Sequence, residues 1–131
     1  MPSRERVAAF IASVVGGDHV RAIADYYHED ASMQENLQSP RRGRAELMAH
    51  EAKVLERVKM YTHPDPIFLV DGDNVVINWI FDATSKDGVT RRLNELALQR
   101  WAGDRIAEER FVYDAASAWT VVENHAARAS V

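Results

Sequence analysis

Residues 74–114, NVVINWIFDATSKDGVTRRLNELALQRWAGDRIAEERFVYD, decide the fold. Apolar residues cluster in three runs, around 74–84, 89–102 and 105–113, and Asp87-Gly88 and Gly103-Asp104 separate them. Asp-Gly and Gly-Asp pairs between apolar runs are hairpin chemistry, because glycine reaches the positive φ that tight turns demand. A fourth run at 61–70 ends in Asp71-Gly72 just upstream. Three such turns in succession predict an antiparallel meander from residue 60 onward.

Upstream of residue 60 the period is helical. Val7, Phe10, Ile11 and Val14 recur at i, i+3, i+4 and i+7, with Ser3 placed to cap the helix and Gly16-Gly17 to end it. Asp18 is placed to cap a second helix carrying Val20, Ile23, Ala24 and Tyr27, which His28-Glu29-Asp30 closes. Residues 30–44, DASMQENLQSPRRGR, read as a short strand and a turn. They lead into a third helix with Leu47, Val54, Leu55 and Val58 on one face. Helices first and strands afterwards predict an α+β domain with the helices on one face of the sheet.

The length of 131 residues fits one domain, 1–131, with a core of about 3–115 and a tail from 116 to 131. In that alanine-rich tail Trp119, Val122 and Ala126 stand at helical spacing, so it reads as a docked helix or a frayed end. The chain has no cysteine, which removes disulfides and thiol chemistry and fits a reducing, cytoplasmic setting. A formal charge of -4 gives no general attraction to nucleic acid or anionic membranes, and no membrane-length apolar span occurs. No His-x-His or His-Glu-x-x-His spacing points to a metal, and no dinucleotide or phosphate-loop fingerprint points to a cofactor.

Strand 75–81 is apolar on both parities, Val75, Ile77, Trp79 and Phe81 on one and Val76 and Ile80 on the other. A sheet covered by helices on one face only should alternate. The second face is therefore expected to meet a second copy of the chain, as a homodimer.

The order of helix, GGD (16–18), helix, YYHEDASM (26–33), GRAEL (43–47) and a meander closing in WAGDRIAEERFVYD (101–114) resembles the nuclear transport factor 2-like superfamily, in particular its SnoaL-like branch. The resemblance implies a cone of three N-terminal helices packed on a strongly curved, mostly antiparallel sheet, with a deep apolar pocket for a small molecule and dimeric assembly. Its members include ketosteroid isomerases, polyketide cyclases, epoxide hydrolases and binding modules without chemistry, so function has to be argued from the site.

The resemblance places a ketosteroid isomerase-type base on Glu35, but its oxyanion tyrosine falls on Phe10 and its second donor falls near Ala97, with Glu95 one pleat away. An epoxide hydrolase set would match Asn36, yet its tyrosine falls on Gln34 and its charged groups fall on Trp79, Phe81 and Phe111. A cyclase-type aspartate falls on Phe111 as well, with Glu109 of the same parity nearby. The two matches disagree about inward parity, one turning Met33 and Glu35 inward and the other Gln34 and Asn36.

The reading adopted makes Glu35 a general base whose pKa burial would raise. Tyr27, Met33, Asn36, Trp79, Phe81, Glu95, Trp101 and Phe111 are the candidate contacts to an apolar ligand. Arg41, Arg42 and Arg44 stand near the expected mouth, where a solvated turn is the simplest role. No metal or cofactor is expected. The expected activity is proton transfer of isomerase or cyclase type, and the competing reading is a non-catalytic ligand-binding or dimerisation module.

Overall fold

The computed structural model describes residues 1–122. Helix α1 (Arg4–Val15) starts where the Ser3 hydroxyl accepts the Arg6 amide at 3.0 Å, and it buries Val7, Phe10, Ile11 and Val14. Gly17, at φ 96°, takes the left-handed turn that ends the helix, a conformation other residues adopt at a cost. Asp18 then caps helix α2 (His19–Tyr26) by accepting the Arg21 amide at 3.0 Å. The face of α2 that is buried carries His19, Ala22 and Ile23.

Strand β1 (Tyr27–Glu35) follows at once, so Tyr27 opens the strand and His28-Glu29-Asp30 belongs to it. Strand β2 (Arg41–Arg42) folds back on β1, and helix α3 (Arg44–Arg57) buries only Leu47 fully. Val58, expected on α3, begins strand β3 (Val58–Thr62).

The run at 61–70 is two strands. Pro64 and Pro66 interrupt it, since proline donates no amide to a ladder, and strand β4 (Phe68–Asp71) resumes beyond them. Both pieces pair with the twelve-residue β5 (Asn74–Ser85), β4 along Asn74–Ile77 and β3 along Phe81–Ser85. Strands β6 (Thr90–Ala102) and β7 (Arg105–Val112) complete the expected meander. The sheet runs β2-β1-β7-β6-β5-β3, and β1 lies parallel to β7, the first strand beside the last long one.

Three helices on this strongly curled mixed sheet make the α+β cone. Its concave face buries Val75, Ile77 and Trp79 from β5, and Leu93, Glu95, Ala97, Gln99 and Trp101 from β6. The alternation is therefore present, with two polar residues on the inner side of β6.

The tail departs from helical spacing over the described residues. Trp119, at φ 57°, reverses the chain into strand β8 (Thr120–Val121), which pairs with Arg91 and Arg92 at the end of β6 that β7 leaves free. Ala126 lies outside the described residues. No helix of the described residues is long and apolar enough to cross a membrane.

Candidate active site

The helices and the concave sheet enclose a cavity of about 460 Å³. Such a volume suits a drug-sized molecule. Its apolar walls include Phe10, Ile23, Met33, Trp79, Phe81 and Phe111, and Trp79 stacks on Phe81 with centroids 5.5 Å apart and planes 27° apart. Four carboxyl side chains also reach it, Glu35 from β1, Glu51 from α3, Glu95 from β6 and Glu109 from β7.

Strand geometry settles the parity of β1. Met33 and Glu35 line the cavity, whereas Gln34 turns away to donate to the Gln38 carbonyl at 2.9 Å. Asn36 is corrected as a cavity contact: at φ 49° it leaves the strand, and its Oδ1 accepts the Tyr113 amide at 3.0 Å. Trp101 is corrected too. Its indole lies behind the cavity against Phe10, at 1 % exposure, and donates to Gln99 Oε1 at 2.9 Å. Tyr27, Met33, Trp79, Phe81, Glu95 and Phe111 all line the cavity beside Glu35.

The carboxyls sit in distinct surroundings. Glu35 is half-buried, and desolvation pushes its pKa above the ordinary range, opposed by the Tyr113 hydroxyl and the positive charge of Arg41. Glu109, fully buried, rises to about 7 through desolvation, although two donors favour its charge: the Tyr27 hydroxyl on one oxygen and Gln99 Nε2 at 2.5 Å on the other. The Trp101 indole thus holds Gln99, which holds Glu109. Glu95 is pushed up to about 9 by desolvation and then by the charges of Glu35, Glu109 and Glu51. Neither a hydrogen bond nor an ion pair to its carboxyl occurs among the described residues.

Several lining groups escaped the sequence reading as site residues. His19 bridges Glu51 (Nδ1 to Oε1, 3.3 Å) and Thr62 (Nε2 to Oγ1, 3.0 Å), which fixes Glu51 against the wall. Tyr113, His50, Arg91 and Trp119 also line the cavity, and so does Arg41, which the sequence places near the mouth. Arg44 instead donates to the Tyr27 carbonyl at 3.1 Å, and Arg42 lies outside this cavity.

A family model for the SnoaL-like domain matches residues 7–126. The chain belongs to the SnoaL-like family. A candidate polyketide cyclase of Pseudomonas putida matches this SnoaL-like chain with a TM-score of 0.76 at 19% identity, covering 93% of this chain and 99% of that one. A protein of Catenulispora acidiphila with a ketosteroid isomerase-like fold, solved in complex with trimethylamine, gives a TM-score of 0.70 at 18% identity, covering 88% and 90%. The protein TerC, co-crystallised with polyporic acid, gives a TM-score of 0.71 at 21% identity, covering 86% and 91%. At these identities the likeness establishes the fold. None of the curated proteins matches this chain.

Proposed function

We propose that this SnoaL-like chain is a cofactor-independent enzyme of proton-transfer type, acting on a small, largely apolar molecule with Glu35 as general base. The observation that carries the reading is the placement of the Glu35 carboxyl in an apolar cavity that a ligand can enter. Partial desolvation raises its basicity, and the Tyr113 hydroxyl and Arg41 keep its charged form accessible. Glu95, deeper and unpartnered, keeps its proton while the cavity is empty. Of these two, only Glu35 has neighbours that favour its charged form, and paired acids set in different surroundings are a common source of acid and base roles.

A substrate-independent test uses a nitrobenzisoxazole, whose ring opens when a base takes the C–H proton as the N–O bond breaks, leaving a coloured cyanophenolate. The wild-type protein is expected to accelerate this opening on the order of 100-fold or more over an equal concentration of acetate. A rate no better than acetate would overturn the assignment.

The second reading, a ligand-binding or dimerisation module without chemistry, draws on Trp79, Phe81 and Phe111, aromatic residues at positions where the resemblance to epoxide hydrolases and cyclases implies charged groups. It predicts ligand binding with no acceleration.

Both readings include a homodimer through the outer sheet face. Leu69, Leu96, Leu98 and Val112 stand 40% to 65% exposed there, and a contiguous apolar face of this kind favours a partner. Light scattering at micromolar concentration is expected to return twice the mass of the chain; a monomer mass removes the pairing. The lack of cysteine suits a reducing cytoplasmic setting.

A further inference from the structure

Glu95 is the carboxyl of the cavity that has no hydrogen-bond or ion-pair partner among the described residues. It lies mid-strand at 5 % exposure, with apolar Leu93 and Ala97 as its neighbours on the inner face and Trp79 opposite it on β5. The other three carboxyls have neighbours that favour their charge: Tyr27 and Gln99 for Glu109, His19 for Glu51, and the Tyr113 hydroxyl for Glu35. An unpartnered buried carboxyl costs stability that a hydrocarbon side chain would not. Its partner comes from outside the chain.

Three kinds of partner deserve comparison. A metal ion needs converging ligands, and among the described residues no three His, Asp or Glu side chains come together at a spacing that holds one. A neutral carbonyl could accept a proton-bearing Glu95, but negative charge developing on its oxygen would stand among Glu35, Glu51 and Glu109. For a positive charge each of those interactions changes sign. The stacked faces of Trp79 and Phe81 beside Glu95 add the attraction of aromatic quadrupoles for cations. Of the basic groups of the lining, Arg41 is exposed, Arg91 and His50 are half-buried, and the buried His19 is engaged by Glu51 and Thr62, so none of them is bonded to Glu95.

We infer that the cavity takes a largely apolar organic cation, a tertiary or quaternary ammonium, seated against the Glu95 carboxylate with Trp79 and Phe81 beside it. The inference rests on the reading of the cavity as a ligand site and names the class of that ligand. Binding expels the proton that Glu95 holds in the empty cavity, at a pKa of about 9, so affinity rises with pH below that value. The groups facing Glu95 are Glu35 and Tyr113 from the β1 and β7 side, Glu109 and Tyr27 beneath, and Glu51 with His19 and His50 from the helices; Arg91 lies along its own strand. Of these, Glu109, at about 7, adds a smaller rise in the same direction.

The test is a tryptophan-fluorescence titration of the full chain at about pH 8 with benzyltrimethylammonium and with neopentylbenzene, its uncharged carbon isostere. The cation is expected to bind at least about tenfold more tightly than the isostere, and Glu95→Gln to cut that preference severalfold while still binding the isostere. The permanently charged probe leaves only the protein to titrate, so its affinity should climb between about pH 6 and 8 in the wild type, and climb less in Glu95→Gln. Equal binding of the two probes overturns the cation and leaves the pocket standing. Binding of neither overturns both. A cation preference undiminished in Glu95→Gln also refutes the assignment.

Discussion

Glu35→Gln is expected to slow the benzisoxazole opening on the order of 10²–10⁴-fold, the usual worth of a positioned general base. The amide is nearly isosteric with the carboxyl and still offers an oxygen toward Tyr113, so the strand end should keep its shape. What it loses is the ability to take a proton. Because the Glu35 pKa is raised, the wild-type rate should fall with acid at a pH above the ordinary carboxylate range, and the inflection should vanish in Glu35→Gln. Glu35→Asp retains a base but withdraws it by one methylene, and an intermediate rate would separate misplacement from loss. A Glu35→Gln protein at full rate would move the chemistry elsewhere, with Glu109 the next carboxyl in line.

Glu95→Gln should make the protein more stable at neutral pH. Glu95 holds its proton in the folded chain up to about pH 9, whereas in the unfolded chain it releases that proton near the ordinary value of 4.5. The folded state thus binds more protons than the unfolded state across that window, and stability falls as pH rises through it. The decline is about 1.4 kcal/mol per pH unit for one such group, so at pH 7 the carboxyl costs on the order of 3 kcal/mol that an amide does not. Urea denaturation at several pH values should show a gain of about 2–3 kcal/mol for the variant near pH 7, and a flatter dependence from pH 5 to 8. Equal slopes in the two proteins would mean that Glu95 is ionised and satisfied, contrary to its lack of a partner. A stabilising substitution inside a cavity wall is the mark of a residue retained for binding or chemistry at the expense of the fold.

Much of the scaffold was legible because each element carries its own period. The first helix, its Ser3 cap and its Gly16-Gly17 stop follow from local sequence, and so do the hairpin turns at Asp87-Gly88 and Gly103-Asp104. Strand parity also carries far: Leu93, Glu95, Ala97, Gln99 and Trp101 share the inner face, as their alternation required.

The site was legible where parity alone decides and obscure where long-range packing does. Trp101 has the right parity, yet Phe10 stands between it and the cavity, and no local pattern reports that. Asn36 was undecided because its strand stops one residue earlier, which depends on its positive φ. On α3 the signal was present but polar. Leu47, His50, Glu51 and Val54 follow helical spacing, and two titratable residues on that stripe mark a face turned to a cavity. Trp119 could not be placed from periodicity, since the chain reverses there into β8.

The parallel pairing of β1 with β7 sets the time at which this site comes into being. Met33 meets Glu109, and Glu35 meets Phe111, across a gap of some seventy-six residues, so the wall exists only once both strands have been made and have met. Pairings this remote are slow to form, because the loop between them must be closed first. A folding chain is therefore expected to form its helices and hairpins before this wall of the cavity. A fragment that stops before β7 lacks Glu109 and Phe111 and so lacks this wall of the cavity, which makes ligand binding there a report on the last long strand.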